Sequence, residues 1–377
     1  MRYQDIIGLE HLKRHLQTTV VNGRIAHAQL MVGLTGSGVL PLALAYARSI
    51  LCSGDSNRCD AQIDQIAHPD LHFAYPVANN ARIKDKAVSD DYIAEWREFL
   101  KTQPYGSLAD WYQAIEIEKK QSKIGVDEAK RIVSKLSLKS YEGGYKVLII
   151  WGGADKLNTE ASNKLLKLIE EPPAKTVFLL IAEDEDQIIN TIKSRCQLLH
   201  IPKLNSESIA NGLIERNGLE ITRAQQIARQ SNGDYNKAVQ SINNISEDID
   251  FEKWFVTWIR TAFAARGRKS AINDLIAWAD MIAATNRETQ KRFLLYCLEY
   301  FRQAMLLNYK ANSAVYLTPQ MPDFKLEKFA PFIEGHRIQP ISEEIEKAIY
   351  HIERNGNGKV ILTDLAIGLT RLIHKSA

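Results

Sequence analysis

A short apolar run, a glycine-rich turn and a helical stretch follow one another near the start of the chain, and this order most constrains the fold. Residues 24–33 (RIAHAQLMVG) have the composition of a short strand, and residues 40–52 (LPLALAYARSILC) that of a helix. The turn between them resembles the phosphate-binding pattern G-x-x-x-x-G-K-[ST], with Gly33 and Gly38 at the required spacing and Gly36 between them. Strand, glycine turn and helix in that order are the context in which such a loop binds phosphate.

The two side chains that would hold a nucleotide are missing from this pattern. Val39 stands where the pattern has lysine, and Leu40 stands where it has serine or threonine. The lysine normally neutralises the β and γ oxygens and the hydroxyl holds magnesium, which valine and leucine cannot do. Glycines at a helix N-terminus keep some affinity for anions. Taken alone, the stretch is equally compatible with a nucleotide site and with a plain tight turn.

Later segments alternate between buried strands and helices. Residues 145–154 (YKVLIIWGGA) and 176–183 (TVFLLIAE) are continuous apolar runs, typical of parallel strands buried on both faces. Residues 126–138 are amphipathic at helical spacing, and residues 159–173 predict a helix that two prolines end. This alternation predicts a doubly wound α/β domain with a P-loop-type parallel sheet.

The acidic half of a nucleotide site is also missing. In a working site a pair of carboxylates at the end of a buried strand positions magnesium and the attacking water. Here Gly152 and Gly153 stand at that point, and Asp155 lies further on in the turn. The joint loss of both halves indicates a former ATPase fold that serves as a scaffold.

Domain boundaries follow from changes in pattern along the 377 residues. We expect the α/β domain to span residues 1–203, with an insertion at about 75–125 that carries Trp96 and Trp111 in helix-like stretches. Residues 204–246 predict a few short helices, and residues 247–377 predict longer ones.

Composition limits the class of protein. The net charge of +3 is too small to indicate nucleic-acid binding by itself, and 45% hydrophobic with 25% charged residues is typical of soluble proteins. Four scattered cysteines do not suggest a disulfide framework, which favours a reducing compartment. The N-terminus lacks a signal-peptide core, and we find no apolar run long enough to cross a membrane. We therefore expect a cytoplasmic protein.

Four stretches carry a resemblance to a known family. They are RIAHAQLMVGLTGSG, HPDLH, the run from YEGGYKVLIIWGGADKL to FLLIAE, and TIKSRCQLLHI. With these motifs the chain resembles the delta-prime subunits of the bacterial DNA polymerase III clamp loader, which belong to the AAA+ superfamily. Residues 141–201 carry the most specific part, and the likeness covers most of residues 1–245. The C-terminal third is similar only in its helical character and in NGNGKVILTDL.

The resemblance implies an AAA+ domain, a helical lid at 204–246 and a helical collar for oligomerisation at 247–377. It implies a stator that does not hydrolyse ATP, within a five-subunit ring that belongs to the polymerase holoenzyme. The implied partners are ATPase subunits of the gamma/tau type, the delta subunit and, through the complex, the beta sliding clamp. Primed DNA would be contacted weakly, and ATP would be bound only by the partner subunits.

The same resemblance gives Arg195 a role as an arginine finger that acts in the neighbouring subunit's ATP site. A guanidinium supplied in trans stabilises charge on the transferred phosphoryl group. Ser194 and Cys196 would shape the turn around it. From the residues alone, an SRC triplet is more often just a surface arginine at a helix end.

Other departures from the ATP-hydrolysing members agree with an inactive site. Ala182 and Glu183 stand where those members have a threonine pair. Asn236 stands where they have a second-sensor arginine.

Metal sites are not expected. Related subunits often hold zinc with four cysteines, but only Cys52 and Cys59 are present here; His68 and His72 would complete a set of unfamiliar spacing. Residues 353–364 place oxygen side chains like a calcium-binding loop, although a capped turn between two helices explains them better.

Contact with DNA could involve one basic row. Lys130, Arg131, Lys135 and Lys139 lie along residues 126–139. A single row of four basic residues is more often a solvated helix face than a track for phosphates, and the two interpretations become about equal only through the resemblance, since clamp loaders hold primed DNA.

Two other functions stay open from the sequence. One is an active AAA+ ATPase with an unorthodox nucleotide site, which nucleotide binding and turnover by the isolated chain would support. The other is an adaptor derived from an AAA+ domain that works outside replication, which association with clamp-loader ATPase subunits would exclude.

Overall fold

A computed structural model describes residues 1–52, 57–118, 120, 122–141, 143–152, 159–243, 245–268, 270–317, 319–333, 335–354 and 356–374. The chain forms two compact units, Met1–Ile242 and Asn243–Ala377. The boundary expected near residue 203 lies inside the first unit and stays a prediction.

Five parallel strands form the centre of the first unit, in the order β2-β3-β4-β1-β5. They are β1 Ala28–Val32, β2 Leu71–Ala74, β3 Lys146–Trp151, β4 Thr176–Ala182 and β5 Gln197–His200. Every residue of β1, β3 and β4 is buried, as their continuous apolar sequences predicted. The parallel α/β architecture is therefore confirmed. Strands β2 and β5 are short and were not predicted.

Eleven α-helices surround or follow this sheet within the described part of the first unit. They are α1 Glu10–Val21, α2 Val39–Leu51, α3 Asn57–Asp64, α4 Ile93–Thr102, α5 Leu108–Ala114, α6 Val126–Ser137, α7 Thr159–Glu170, α8 Asn190–Lys193, α9 Ser206–Asn217, α10 Ile221–Gln230 and α11 Tyr235–Asn243. Helices α9–α11 confirm the short helices predicted after residue 204, and we call residues 204–243 the lid.

The insertion packs into the main core of the first unit. Trp96 on α4 stacks on Tyr75 with ring centroids 4.2 Å apart, and it lies 5.2 Å from both Trp111 on α5 and Trp151 at the end of β3. Both Trp96 and Trp111 are fully buried. Buried aromatic side chains contribute strongly to core stability, so the insertion is an integral part of the α/β core.

The second unit consists of helices. They are α12 Ile245–Ala264, α13 Ala271–Ala283, α14 Arg287–Asn308, α15 Leu326–Phe329, α16 Gly335–Glu353 and α17 Gly358–His374. Trp258 stacks on Trp278 at 4.9 Å, and the Trp278 indole donates to the Trp254 carbonyl at 2.9 Å. The all-α character predicted for this region is confirmed. Among the described helices, none combines the length and apolar composition needed to cross a membrane.

The stretch that resembles a calcium-binding loop, residues 353–364, joins α16 to α17. The Asn357 side chain accepts a hydrogen bond from the Val360 N–H at 3.3 Å, which caps the start of α17. Asn355 lies outside the described residues. This is the capped turn that the sequence favoured.

Candidate functional site

The phosphate loop, residues 33–38, connects β1 to α2. Helix α2 begins after Gly38, which has a φ of 90°, and its first two residues point into the core. Val39 is 5% exposed and Leu40 is 4% exposed. Val39 packs so closely on the loop that a Cβ at Gly33 would lie 2.7 Å from its Cγ2 atom. The two positions that hold phosphate and magnesium in a working loop are therefore apolar core positions here.

The lid contributes a carboxylate to the opposite side of this loop. Asp234 lies so close to Gly36 that a Cβ there would be 1.8 Å from its Oδ1 atom. The Tyr235 N–H donates to the Gly36 carbonyl at 3.1 Å, and the Lys237 N–H donates to the Asp234 carboxylate at 3.0 Å. Burial raises the pKa of Asp234, while hydrogen bonds from the Lys237 and Asn236 N–H groups lower it.

The insertion covers the loop from a third direction. We call residues 104–110 the plug segment. A Cβ at Gly38 would lie 3.2 Å from the Tyr105 ring, and a Cβ at Gly152 would lie 2.5 Å from Leu108. The Tyr105 hydroxyl accepts a hydrogen bond from the Ile7 N–H at 2.8 Å. Side chains of the chain itself thus fill space next to both degenerate motifs.

Asn236 contacts the plug segment. Its side-chain amide donates to Asp110 at 2.7 Å, and the Gln240 amide donates to the same carboxylate at 3.1 Å. Asp110 also accepts from the Ser107 N–H at 2.7 Å, which caps α5. Asn236, the residue at the predicted second-sensor position, is therefore hydrogen-bonded to a carboxylate of the protein itself. Sequence reasoning did not identify Asp110, because no local pattern pairs it with residues 126 positions away.

The Glu183 carboxylate also contacts the loop. The Thr35 hydroxyl donates to Glu183, which follows Ala182 at the end of β4. The remaining cavity has a volume of about 270 Å³, at the small end for ligand pockets, and Thr35, Leu108 and Glu183 are among its lining residues. A polyphosphate placed here would meet negative charge without a lysine to offset it, which is unfavourable.

The acidic motif is described only in part. Gly152 follows β3 with a φ of 58°. Gly153 and Asp155 lie outside the described residues, so the predicted loss of the acidic pair stays a prediction.

Arg195 lies in the turn between α8 and β5. Its guanidinium pairs with Glu170, the last residue of α7, and donates to the Thr191 carbonyl at 2.7 Å. The Arg195 side chain is 35% exposed. The Ser194 hydroxyl donates to the same Thr191 carbonyl at 3.2 Å. Burial raises the pKa of the Cys196 thiol to about 11, so the thiol stays protonated and is suited to packing in the turn.

The basic residues of α6 are paired with carboxylates. Lys135 and Arg131 pair with Asp90 at 2.6 and 3.6 Å, and Lys130 pairs with Asp127 at 3.1 Å. These pairs reduce the positive charge that α6 offers to a phosphate backbone. The predicted DNA contact through Lys130, Arg131 and Lys135 stays a prediction.

Cys52 and Cys59 form a disulfide that joins the end of α2 to α3, with Cα atoms 5.7 Å apart. Sequence reasoning did not anticipate this pair. His68 is buried and accepts from the Asp70 N–H at 3.1 Å, while burial lowers the pKa of His72 to about 4. Within the described part of the chain, no three His, Cys, Asp or Glu residues are grouped to hold a metal.

Comparison with known proteins gives a family for this arrangement. The family model described as "DNA polymerase III, delta subunit" matches residues 8–205, more than half of the chain. The chain belongs to this family. The match spans the sheet, the phosphate loop and Arg195, and with the parallel sheet it supports the AAA+-type fold predicted from the sequence.

Three relatives illustrate the similarity. The chain is 29% identical over 207 residues to the Bacillus subtilis DNA polymerase III subunit delta', covering 53% of this chain and 50% of that protein. It is 35% identical over 179 residues to the Escherichia coli subunit delta', covering 48% and 43%. It is 27% identical over 223 residues to the Bacillus subtilis subunit tau, covering 58% and 33%. The matched region thus spans half or less of each relative's length.

Proposed function

We propose that this chain is a non-catalytic stator subunit of the DNA polymerase III clamp loader. In this role it supports ATP-dependent loading of the sliding clamp onto primed DNA, together with gamma/tau-type ATPase subunits and a delta subunit. It would act in the cytoplasm as one member of a heteropentamer. It would bind no ATP or zinc itself and would supply Arg195 to the ATP site of a neighbouring subunit.

The observation that carries this proposal is the contrast between the chain's own phosphate loop and Arg195. Val39 and Leu40 are buried in the core, and Asp234 lies directly on Gly36, so the chain's own phosphate loop favours neither phosphate nor magnesium. Arg195 is partly exposed in a turn of polar contacts, where a second molecule could reach it. Similarity to delta' and tau subunits supports the choice of complex.

The test is reconstitution with candidate ATPase and delta subunits, a sliding clamp and primed DNA, scored by clamp-stimulated ATPase activity. We expect the chain to join the complex and to be required for clamp loading. Isolated chain should give no tight magnesium-dependent ATP binding in calorimetry. Micromolar binding with turnover would favour an unorthodox ATPase, and failure to assemble with these subunits would favour an adaptor outside replication.

A further inference from the structure

The plug segment connects the phosphate loop to the lid. Tyr105 packs on Gly38 of the loop, and its ring lies 4.9 Å from that of Tyr235 at the start of α11. The Arg216 guanidinium of α9 lies 5.9 Å from the Tyr105 ring and 5.8 Å from the Tyr235 ring. Cation–π and edge-to-face contacts of this kind are attractive. Tyr105, a residue of the insertion, therefore contacts both the phosphate loop and the lid, which form the two sides of the nucleotide cleft.

Asp110 adds a polar connection at the other end of the segment. One carboxylate oxygen accepts from the Asn236 amide and from Ser107, and the other accepts from the Gln240 amide. Hydrogen bonds to a charged acceptor are about twice as strong as neutral ones. Both α11 amides therefore bind an anion that the chain itself provides.

We propose that the plug segment is a built-in occupant of the nucleotide cleft that fixes the lid to the α/β domain. Its Tyr105 and Leu108 fill space beside the loop, and its Asp110 supplies the negative charge to which α11 binds. The lid then keeps one position without any nucleotide. This gives the insertion a role that does not depend on the proposed place of the chain in a ring.

The test uses Asn236→Asp with Gln240→Glu in the full chain. These changes set carboxylates against Asp110 but keep α11 intact, since position 236 lies in the first turn, where an acidic residue is favourable, and glutamate at 240 is a good helix former. We expect amide hydrogen exchange across α9–α11 to accelerate about tenfold or more, as expected when bonds to a charged group are lost. Gln225→Glu, on the exposed side of α10, adds a similar charge and should exchange like wild type.

Two outcomes would overturn the proposal. Unchanged protection of α9–α11 in the double variant would mean that Asp110 does not restrain the lid. Recovery of protection in that variant on adding millimolar magnesium ATP would mean that the cleft accepts nucleotide. Should the double variant not fold, Asn236→Ala alone removes one bond and should still raise exchange several-fold.

A separate observation concerns Glu170 and rests on the proposed function of Arg195. The pair between these residues is partly exposed on both sides, with 35% and 42% of the side chains accessible. Exposed pairs are weak, so a polyphosphate with several negative charges would displace the single carboxylate. We infer that Glu170 is a positioning residue that holds the finger in a withdrawn position until a neighbouring ATP competes for it.

This inference is tested in a reconstituted complex in which only the ATPase subunit beside this chain keeps its phosphate-loop lysine. Glu170→Gln should lower the KM for ATP about two- to fivefold with kcat unchanged, because it removes the competing charge. Glu171→Gln, one residue away, should match wild type. An unchanged or raised KM in Glu170→Gln would overturn the role of Glu170.

A double variant separates this failure from failure of the proposed function. If Arg195→Ala alone leaves the ATPase unaffected, the finger itself is disproved. If Arg195→Ala lowers the rate, then adding Glu170→Gln should change nothing further. A KM effect of Glu170→Gln that persists without Arg195 would show that Glu170 acts on something other than the finger.

Discussion

The phosphate-loop region and the Arg195 turn lie in the same α/β fold but satisfy their polar groups in opposite ways. Around the loop, three carboxylates accept hydrogen bonds from donors within the chain, namely those of Asp110, Glu183 and Asp234. The two motif positions Val39 and Leu40 are buried. In the Arg195 turn, the charged group has one exposed carboxylate partner and a backbone carbonyl. Under the proposed function, the region expected to bind no ligand is filled by the protein itself, whereas the arginine proposed to act on a neighbouring subunit stays partly exposed.

This difference gives each region its own expected response to substitution. Changes around the loop should alter folding stability, because tightly packed groups lose contacts there. Changes at Arg195 should alter the activity of the assembly and leave stability nearly constant. A substitution around the loop that leaves stability unchanged, or one at Arg195 that lowers it strongly, would contradict this comparison.

The largest effect is expected for Arg195→Ala. Arginine fingers contribute on the order of a thousandfold or more at the site they serve, so the ATPase rate of the adjacent site should fall by that order. Arg195→Lys should not rescue, because lysine lacks the planar fork that engages two oxygens. The free energy of unfolding should change by about 1 kcal/mol or less, as for other exposed pairs.

Lys193→Ala is the matched control, since this cation ends α8 two residues before Arg195 and its pair with Asp186 is long, at 3.9 Å. The control should assemble and hydrolyse ATP like wild type. A properly assembled Arg195→Ala complex that loads clamps at the normal rate would remove Arg195 from the mechanism.

The second effect concerns Trp111, which anchors the insertion beside the loop. Trp111→Ala should lower the free energy of unfolding of the first unit by about 3–5 kcal/mol, because it opens a large cavity in the core. It also removes the bond from the indole to the Pro76 carbonyl at 3.0 Å. Urea denaturation followed by far-UV circular dichroism measures this. Trp111→Phe should cost clearly less, and equal stability of both variants with wild type would contradict the packing described.

A pH dependence is expected from Glu128 on α6. It is 4% exposed, and its pKa is raised to about 7, chiefly by burial and to a smaller extent by Asp90, against the Ser89 hydrogen bonds and Lys135, which lower it. The folded pKa lies above the unfolded one, so the protonated form stabilises the fold at low pH. This stability is lost as the pH rises from about 4.5 to about 7, by about 3 kcal/mol.

Glu128→Gln should remove most of this slope when unfolding is measured between pH 5 and pH 8. The glutamine carbonyl can still accept the Ser89 N–H, which Glu128 accepts at 2.6 Å. Asp127→Asn, the exposed neighbour on the same helix, should keep the wild-type slope. A Glu128→Gln variant with an unaltered slope would mean that this carboxyl titrates normally.

The smallest effect is expected for Gly36→Ala. The residue has a φ of 72°, which costs a side chain about 1–3 kcal/mol, and its Cβ would also collide with Asp234. Adding Asp234→Ala should relieve the collision but not the backbone strain. Gly144→Ala, at a position without a positive φ and with open space around it, should be neutral or slightly stabilising. Thermal unfolding of the three variants tests this order.

Much of the fold was predictable because its strands carry simple signals. The apolar runs of β3 and β4 and the glycine turn before α2 have patterns that only a buried parallel sheet explains well. The four-residue strands β2 and β5 were missed because so short a run has no clear period, and β5 is largely exposed.

The candidate site was predictable only where single residues mark it. Val39, Leu40 and Arg195 are recognisable by their place in a motif. Asp110 is not, because its role depends on a contact with Asn236 across the tertiary structure. The same holds for Glu170, whose partner lies 25 residues further along the chain.

The distribution of tryptophan gives the two units separate optical properties. Three of the six tryptophans, Trp96, Trp111 and Trp151, are grouped in the first unit, and the other three lie in the second unit. Replacing those of the second unit with phenylalanine would leave tryptophan fluorescence only in the first unit, beside the plug segment. Movement of that segment during assembly would then change the emission without any added dye.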